Sequence, residues 1–317
     1  MKENKYTISV IVPIYNEEGN VAELHREIKE VCEANHYIYE IIFIDDGSSD
    51  GTKKICKDLK PLKYIRLRRN SGQTAAMDAG IKAAQYDYIV TMDGDRQNDP
   101  ADIPGMLCYL TENDLDVVSG WRKDRKDTFM KRFVSRGANL LRYFLVHDGI
   151  HDSGCSLKVY RRECFQDVNL YGEQHRFIPA ILKIKGYTIG EVVVHHRPRT
   201  SGRTKYNWKR TFKGFLDMIS VWFWNKYATR PLHLLGGLGL LFLMIGMGCG
   251  VWSVALFCMG FKMSRNIIPP ILTVFFILMG VLMFVFGLMS EILMKIYYGV
   301  HVDTSYSIAE TWENEGA

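Results

Sequence analysis

Two aspartates one residue apart, Asp93 and Asp95, are the side chains whose spacing most directly suggests chemistry. They stand in Ile89–Pro100, IVTMDGDRQNDP, where a short apolar run stops abruptly at an Asp-Gly-Asp triplet. Paired carboxylates repel each other unless a cation sits between them. Their hard oxygens select Mg2+ or Mn2+, ions that also bridge phosphate oxygens. Gln97 adds a neutral oxygen, and Gly94 is expected to let the backbone approach a ligand. A lone triplet of this kind is equally an acidic turn after a strand, so its meaning depends on the elements around it.

Those elements alternate. Apolar, β-branched runs at Ile8–Ile14, Tyr39–Ile44, Tyr64–Leu67, Tyr88–Met92 and Asp116–Gly120 read as strands. Asn20–Ala34, Thr52–Leu59, Gly72–Ala84 and Pro104–Thr111 read as helices, the first with Val21, Leu24, Ile28 and Val31 on one face. Strand and helix alternating through short loops predict an α/β fold with a mostly parallel sheet covered on both faces. Three of the strands end in polar loops, 15–18, 45–51 and 93–97, which converge on the carboxyl edge where such sheets bind ligands. Neither of the first two loops has a GxGxxG or GxxxxGK-S/T pattern, which excludes a dinucleotide fingerprint and a P-loop. A nucleotide here would be read by carboxylates and an aromatic ring: Tyr15 stacking, Asp46 accepting from a base N–H, Glu17 holding a ribose hydroxyl.

The chain has 317 residues, 47% of them hydrophobic, and a formal charge of +5, enough for a medium domain and something more. Its 7 cysteines are scattered and form no CxxC, which argues against a disulfide framework or zinc site and for a reducing compartment. The opening MKENKYTISV has no apolar signal region. Pro231–Phe261 and Asn266–Ser290 contain no Asp, Glu, Lys or Arg, and each exceeds the ~20 residues that span a bilayer. They predict a hairpin of two transmembrane helices, 231–261 and 266–296, followed by a tail, 297–317. Lys209, Arg210, Lys213, Lys226 and Arg230 before the hairpin, and Lys295 near its end, outnumber Lys262 and Arg265 in the turn. The catalytic part is therefore expected on the cytoplasmic side of a plasma (inner) membrane, in a multi-pass protein. Asn207–Tyr227 sets Phe212, Phe215, Ile219, Trp222 and Phe223 against Lys209, Lys213, Asp217 and Lys226, which suits an interface helix within 205–230. The Gly-rich spans permit a homo-oligomer. No nucleic-acid partner is expected.

The ordered set SVIVPIYNE, IDDGSSDGT, RNSGQTAAMDAG and DGDRQNDP resembles family 2 glycosyltransferases of GT-A fold. Within that family it is similar to the membrane-anchored polyprenyl-phosphate sugar transferases, which include dolichyl-phosphate mannose synthase. The likeness runs from about Ile8 to Tyr206 and implies a catalytic domain over 1–204. It implies that Pro13, Tyr15, Glu17 and Asp46 contact the nucleoside and that Asp93, Asp95 and Gln97 hold the metal and diphosphate. In the basic stretch Trp121–Arg136, Arg122 would lie near the donor diphosphate, and Lys131, Arg132 and Arg136 near an acceptor phosphate. Asp152, in HDSGCSLK, resembles the family's acidic residue beside the acceptor. In the basic loop His195–Arg210, Arg203 or Lys205 would close over phosphate groups. Phe177 follows Arg176 where polymer-extending members carry a Trp, which argues against a processive synthase.

The resemblance implies metal-dependent, inverting transfer of one sugar from a nucleotide sugar, expected to be UDP-linked, to polyprenyl (undecaprenyl) phosphate. Asp95, Asp152, Arg122 and Arg203 are the expected catalytic residues. A phosphate monoester has a second pKa of ~6 and is largely a dianion at neutral pH. It hardly needs a base, so Asp152 is expected to position the acceptor. Two other readings stand beside this one. A transferase acting on a glycerolipid or ceramide hydroxyl would need a true base and fewer cations. A non-catalytic, membrane-anchored subunit binding sugar nucleotide or lipid phosphate would not need the intact Asp-Gly-Asp loop.

Overall fold

The computed structural model describes residues 6–123, 149–166, 168–170, 172, 174–198, 223, 227, 231–261 and 266–300. The chain forms two compact units, and the two apolar helices lie in the second. Lys131, Arg132, Arg136, Arg203, Lys205, most of the expected interface helix and the tail beyond 300 lie outside the described residues.

The first unit is a sheet of 7 strands: β1 (Thr7–Ile14), β2 (Ile38–Asp45), β3 (Lys63–Arg66), β4 (Tyr88–Thr91), β5 (Val117–Trp121), β6 (Lys158–Arg161) and β7 (Ile189–Val193), in the order β3-β2-β1-β4-β6-β5-β7. All neighbouring pairs are parallel except those of β6, which runs antiparallel to both β4 and β5. The apolar runs of the sequence account for the first five strands and miss β6 and β7. KVYR is only four residues long, and its antiparallel insertion breaks the strand–helix rhythm. IGEVV carries a glutamate in its middle, unlike the continuous apolar strands.

Both faces are covered. Along β1, Val10 and Val12 pack into one core, with Val21, Leu24 and Ile28 of α1 (Val21–Ala34) and Met106, Leu107 and Leu110 of α4 (Ile103–Glu112). Ile11 packs into the other, with Ala76, Met77 and Ile81 of α3 (Gln73–Ala83) and Ile178 and Leu182 of α5 (Ile178–Ile184). Alternate residues of one strand thus serve opposite layers. Each fully buried aliphatic side chain contributes about 1.5–3 kcal/mol. The short helix α2 (Thr52–Cys56) follows β2.

Pro13 lies two residues beyond the last β1–β4 pair, Ile11–Thr91, so its missing N–H costs the ladder to β4 nothing. The chain leaves β1 towards β2 and later returns to β4 on β1's other side. The carboxyl ends of β1 and β4 therefore border the point where strand order reverses, the usual place for a crevice.

The second unit contains α6 (Pro231–Cys258) and α7 (Ile268–Val300), with mean hydropathy reaching 2.2 and 2.8; α6 carries no Asp, Glu, Lys or Arg, and α7 none before Glu291. At 28 residues α6 is about 42 Å long, more than a ~30 Å hydrocarbon core. The two helices pack antiparallel, with glycines in the contact. A Cβ on Gly239 would stand 2.8 Å from the Gly280 carbonyl, and one on Gly246 would stand 3.0 Å from the Ile277 nitrogen. This small-residue face is used within the hairpin, so it gives no argument for the homo-oligomer expected from the glycine content.

Candidate active site

The carboxyl ends of β1, β2, β4, β5 and β7 and the start of β6 share one edge of the sheet. Tyr15, Asp46, Asp93, Arg122, Lys158 and the 195–197 segment are delivered there by topology.

On the β1–β2 side two loops are laced together. The Asn16 N–H donates to Ser48 Oγ at 2.9 Å, the Ser49 N–H to Asn16 Oδ1 at 2.8 Å, and the Glu17 N–H to Thr52 Oγ1 at 3.0 Å. Pro13, Tyr15 and Glu17 are half-buried. Glu17 Oε2 accepts from Asn20 Nδ2 at 2.6 Å. Asp46 is buried and each carboxylate oxygen accepts a backbone N–H, from Ser71 at 2.7 Å and Gly72 at 2.9 Å. Asp46 thus holds the turn into α3, where Gly72 has φ +95°, and a base contact would use its remaining lone pairs.

At the end of β4, Asp93 Oδ1 accepts from Gln73 Nε2 at 2.7 Å. Burial and the charge of Asp95 push the Asp93 carboxyl up, against a hydrogen bond from Ser156 and the cations Arg122 and Lys158. Asp95 is 7% exposed, and its Oδ1 accepts the Gln97 N–H at 3.2 Å. A Cβ on Gly94 would lie 2.8 Å from Ile14 Cγ2 and 3.2 Å from the Pro13 carbonyl. This glycine lets the end of β4 press against the end of β1, which brings the Asp93–Gln97 loop beside Pro13.

On the β5–β6 side the Arg122 guanidinium grips Asp152 with two prongs, Nε to Oδ2 at 2.7 Å and Nη2 to Oδ1 at 3.0 Å. The fork expected to serve the donor diphosphate is closed on the residue expected beside the acceptor. Glu191 of β7 accepts the N–H groups of His151 at 2.9 Å and Asp152 at 3.0 Å, fixing this loop. A cleft of about 430 Å³ opens next to Asp93, bordered by Gln73, Ser153–Ser156, Lys158, His175 and Arg176. Lys158 is 3% exposed and donates to the Ser153 carbonyl at 3.5 Å and to the Cys155 carbonyl. Thr74 Oγ1 and His175 Nδ1 stand 2.8 Å apart at the back.

Gln73, Lys158 and Glu191 border the site without being assigned a role from the sequence, and His175 and Arg176 enter there only as part of the segment ahead of Phe177. Gln73 and Lys158 stand inside two runs that the sequence does single out, RNSGQTAAMDAG and HDSGCSLK, and their position in those runs is the available signal. Glu191 has none, because its strand lacks the apolar pattern of the others.

The model of glycosyl transferase family 2 matches residues 9–168, half of the chain, and takes in every one of the loops just described up to β6. The chain belongs to glycosyl transferase family 2. This glycosyltransferase is 38% identical over 322 residues to the dodecaprenyl-phosphate galacturonate synthase of Rhizobium johnstonii, covering 97% of this chain and 94% of that protein. It is 30% identical over 309 residues to the undecaprenyl-phosphate 4-deoxy-4-formamido-L-arabinose transferase of Salmonella choleraesuis, covering 96% and 93%. Both likenesses run through the two apolar helices. Among solved structures, glucosyl-3-phosphoglycerate synthase of Mycobacterium tuberculosis, in complex with Mn2+, UDP and glucosyl-3-phosphoglycerate, superposes with TM-score 0.56 at 17% identity over 70% of this chain and 80% of that one. Mannosyl-3-phosphoglycerate synthase of Rubrobacter xylanophilus gives TM-score 0.57 at 18% identity, over 68% and 73%. The fold of the glycosyltransferase is GT-A.

Proposed function

We propose that the protein transfers one sugar from a nucleotide sugar, UDP-linked, to a polyprenyl phosphate of undecaprenyl type at the cytoplasmic face of the inner membrane. The observation that carries this reading is the likeness to a dodecaprenyl-phosphate galacturonate synthase across 97% of the chain, apolar helices included. A transferase for soluble acceptors has no use for that hairpin. A polyprenyl chain has: each CH2 withdrawn from the bilayer would cost about 0.8 kcal/mol.

The donor set at the end of β4 fits Mg2+ or Mn2+. Among the described residues no cluster of three or more His, Cys, Asp or Glu can hold an ion by protein ligands alone. An ion shared between hard carboxylate oxygens and a diphosphate suits a site that offers only Asp95, Asp93 and Gln97. Asp95 is proposed as the foremost ligand, with Asp93, which accepts from Gln73 at 2.7 Å, beside it. When bound, such an ion supplies positive charge against the leaving diphosphate.

The protein's own groups do the rest. Tyr15, Glu17 and Asp46 hold the nucleoside over the β1–β2 loops, with Pro13 forming the floor. Arg122 orients Asp152, and Asp152 in turn sets the 152–156 loop that borders the cleft beside Asp93. An acceptor phosphate dianion supplies its own nucleophilic oxygen, so a carboxylate locked on an arginine positions the acceptor and removes no proton. Lys131, Arg132, Arg136 and Lys205 are proposed for the acceptor phosphate, and Arg203 for the donor diphosphate. A glycerolipid or ceramide hydroxyl would need a free base here, and Asp152 is paired.

The test is a donor screen. Purified protein is incubated with undecaprenyl phosphate and a panel of UDP-sugars that includes the galacturonate, and the lipid fraction is analysed by mass spectrometry. One sugar added to the lipid phosphate, lost in excess chelator and in Asp95→Asn, is the expected result. Transfer to diacylglycerol or ceramide in its place, or undiminished turnover under chelation, overturns the reading.

A further inference from the structure

The segment 195–197 runs antiparallel along the loop that follows the Asp-Gly-Asp triplet. Asn98 and His196 form a bridge pair, and the Arg197 N–H donates to the Gln97 carbonyl at 2.9 Å. The Arg197 guanidinium reaches Asp99 Oδ2 at 2.8 Å with one nitrogen and Glu27 Oε2 at 2.8 Å with another. The other oxygen of Glu27 takes Arg96 Nη2 at 2.7 Å. Arg96 sits between Asp95 and Gln97 with φ +61°, in the left-handed region that a non-glycine residue holds only when its surroundings enforce it. One carboxylate thus joins two guanidinium groups, one from the loop expected to bind the donor and one from the chain entering the basic run 199–210.

We propose that Glu27 is a positioning residue that sets the Asp95–Gln97 loop and the 195–197 strap against each other, so that donor affinity depends on a carboxylate that touches no donor atom. Glu27 is suited to this because α1 is firmly seated: Val21, Leu24 and Ile28 are wholly buried in the sheet's core, while the Glu27 side chain is 14% exposed and reaches across to the loop. Removing its charge leaves two cations sharing a neutral amide in place of the carboxylate. Each keeps a second partner, Asp99 at 2.8 Å for Arg197 and Glu23 at 3.6 Å for Arg96. The expected consequence is therefore misplacement of the loop with the domain still folded. The inference rests on the proposed donor site.

The experiment is calorimetric titration of UDP with Mn2+ into the full-length protein in detergent, alongside the KM for undecaprenyl phosphate. Glu27→Gln is expected to weaken UDP binding about tenfold and leave the acceptor KM unchanged, the range of a typical coupling between sites. Glu30→Gln, which breaks an exposed pair with Arg26 on the same helix, is the control and should bind as wild type. Should Glu27→Gln not fold, Arg197→Lys, which keeps the charge and loses the fork, must show the same donor-selective loss. Unchanged UDP affinity in whichever variant folds, or equal losses for UDP and acceptor, overturns the proposal. Wild-type protein that binds no UDP with Mn2+ overturns the donor site itself, and this inference with it.

Discussion

Arg122 and Asp152 close on each other through two hydrogen bonds, 2.7 and 3.0 Å long, with side chains only 11% and 14% exposed. The two residues come from opposite sides of a long intervening segment, one at the end of β5 and one ahead of β6. Removing one partner of a buried pair strands the other charge, at a cost of about 3–5 kcal/mol when burial is complete. Asp152→Asn should lose about 2–3 kcal/mol in denaturant unfolding, the residual exposure lowering that figure. Its turnover should fall by the same factor across the neutral pH range and less than that of Asp95→Asn. Equal severity of the two variants at every pH would remove the positioning role assigned to Asp152.

Gly94→Ala tests how the triplet is held. The new methyl would meet Ile14 Cγ2 at 2.8 Å and the Pro13 carbonyl at 3.2 Å, both in β1. Overpacking of this kind costs about 1–3 kcal/mol. Pushing the loop away from β1 should also raise the donor KM, because Pro13 and Asp95 are proposed to grip one ligand. A melting curve and donor kinetics check both effects. Wild-type donor KM in a destabilised variant would separate the packing from the site.

Much of this arrangement is legible in the amino-acid sequence. The apolar runs ending at Ile14, Ile44 and Met92 predict buried strands whose loops share an edge, and the sheet order places them there. Periodicity is strong where a strand is covered on both faces. It fails at β6 and β7, which are short and partly polar, the first of them also antiparallel to its neighbours. Long-range partners are equally invisible: nothing in the composition links Arg122 to Asp152, Gln73 to Asp93, or Glu27 to Arg96 and Arg197. Such pairs are made by topology, and a single sequence carries no record of them. Asp46 shows a subtler limit. Its place at the end of a strand suggests a ligand contact, while the turn it caps through Ser71 and Gly72 exists only once the chain is folded.

His195 should titrate above its ordinary value of 6.5. A hydrogen bond to Asp102 raises it first, with the charge of the same carboxylate adding to the effect. A histidine raised in the folded state contributes stability that is complete below its unfolded pKa and is lost as pH rises through the folded one. The ring is largely exposed, so the titration itself is the measurement. Proton NMR should follow its resonances to a midpoint that falls back towards ~6.5 in Asp102→Asn. A midpoint indifferent to that substitution would place the strap differently.

Lys158 gives a pH dependence of opposite sign. Burial lowers its pKa below 10.5, against the attraction of the Cys155, Asp152 and Asp93 groups. Between the lowered folded value and 10.5 the unfolded chain binds more protons than the native one, so this group makes stability rise with pH. Lys158→Met removes that slope along with the bonds to the Ser153 and Cys155 carbonyls. Tyrosines and thiols away from Lys158 titrate in the same window and cancel in the difference; Cys155, whose thiol Lys158 pulls down, does not, so the comparison is made with Cys155→Ala in both proteins. Denaturant unfolding of the pair from about pH 7 to about pH 10 should therefore show the protein that keeps Lys158 gaining on the variant as pH rises. A constant difference would mean that the Lys158 ammonium meets enough water or charge in the cleft to keep its ordinary pKa, and that its place beside Asp93 carries no electrostatic strain.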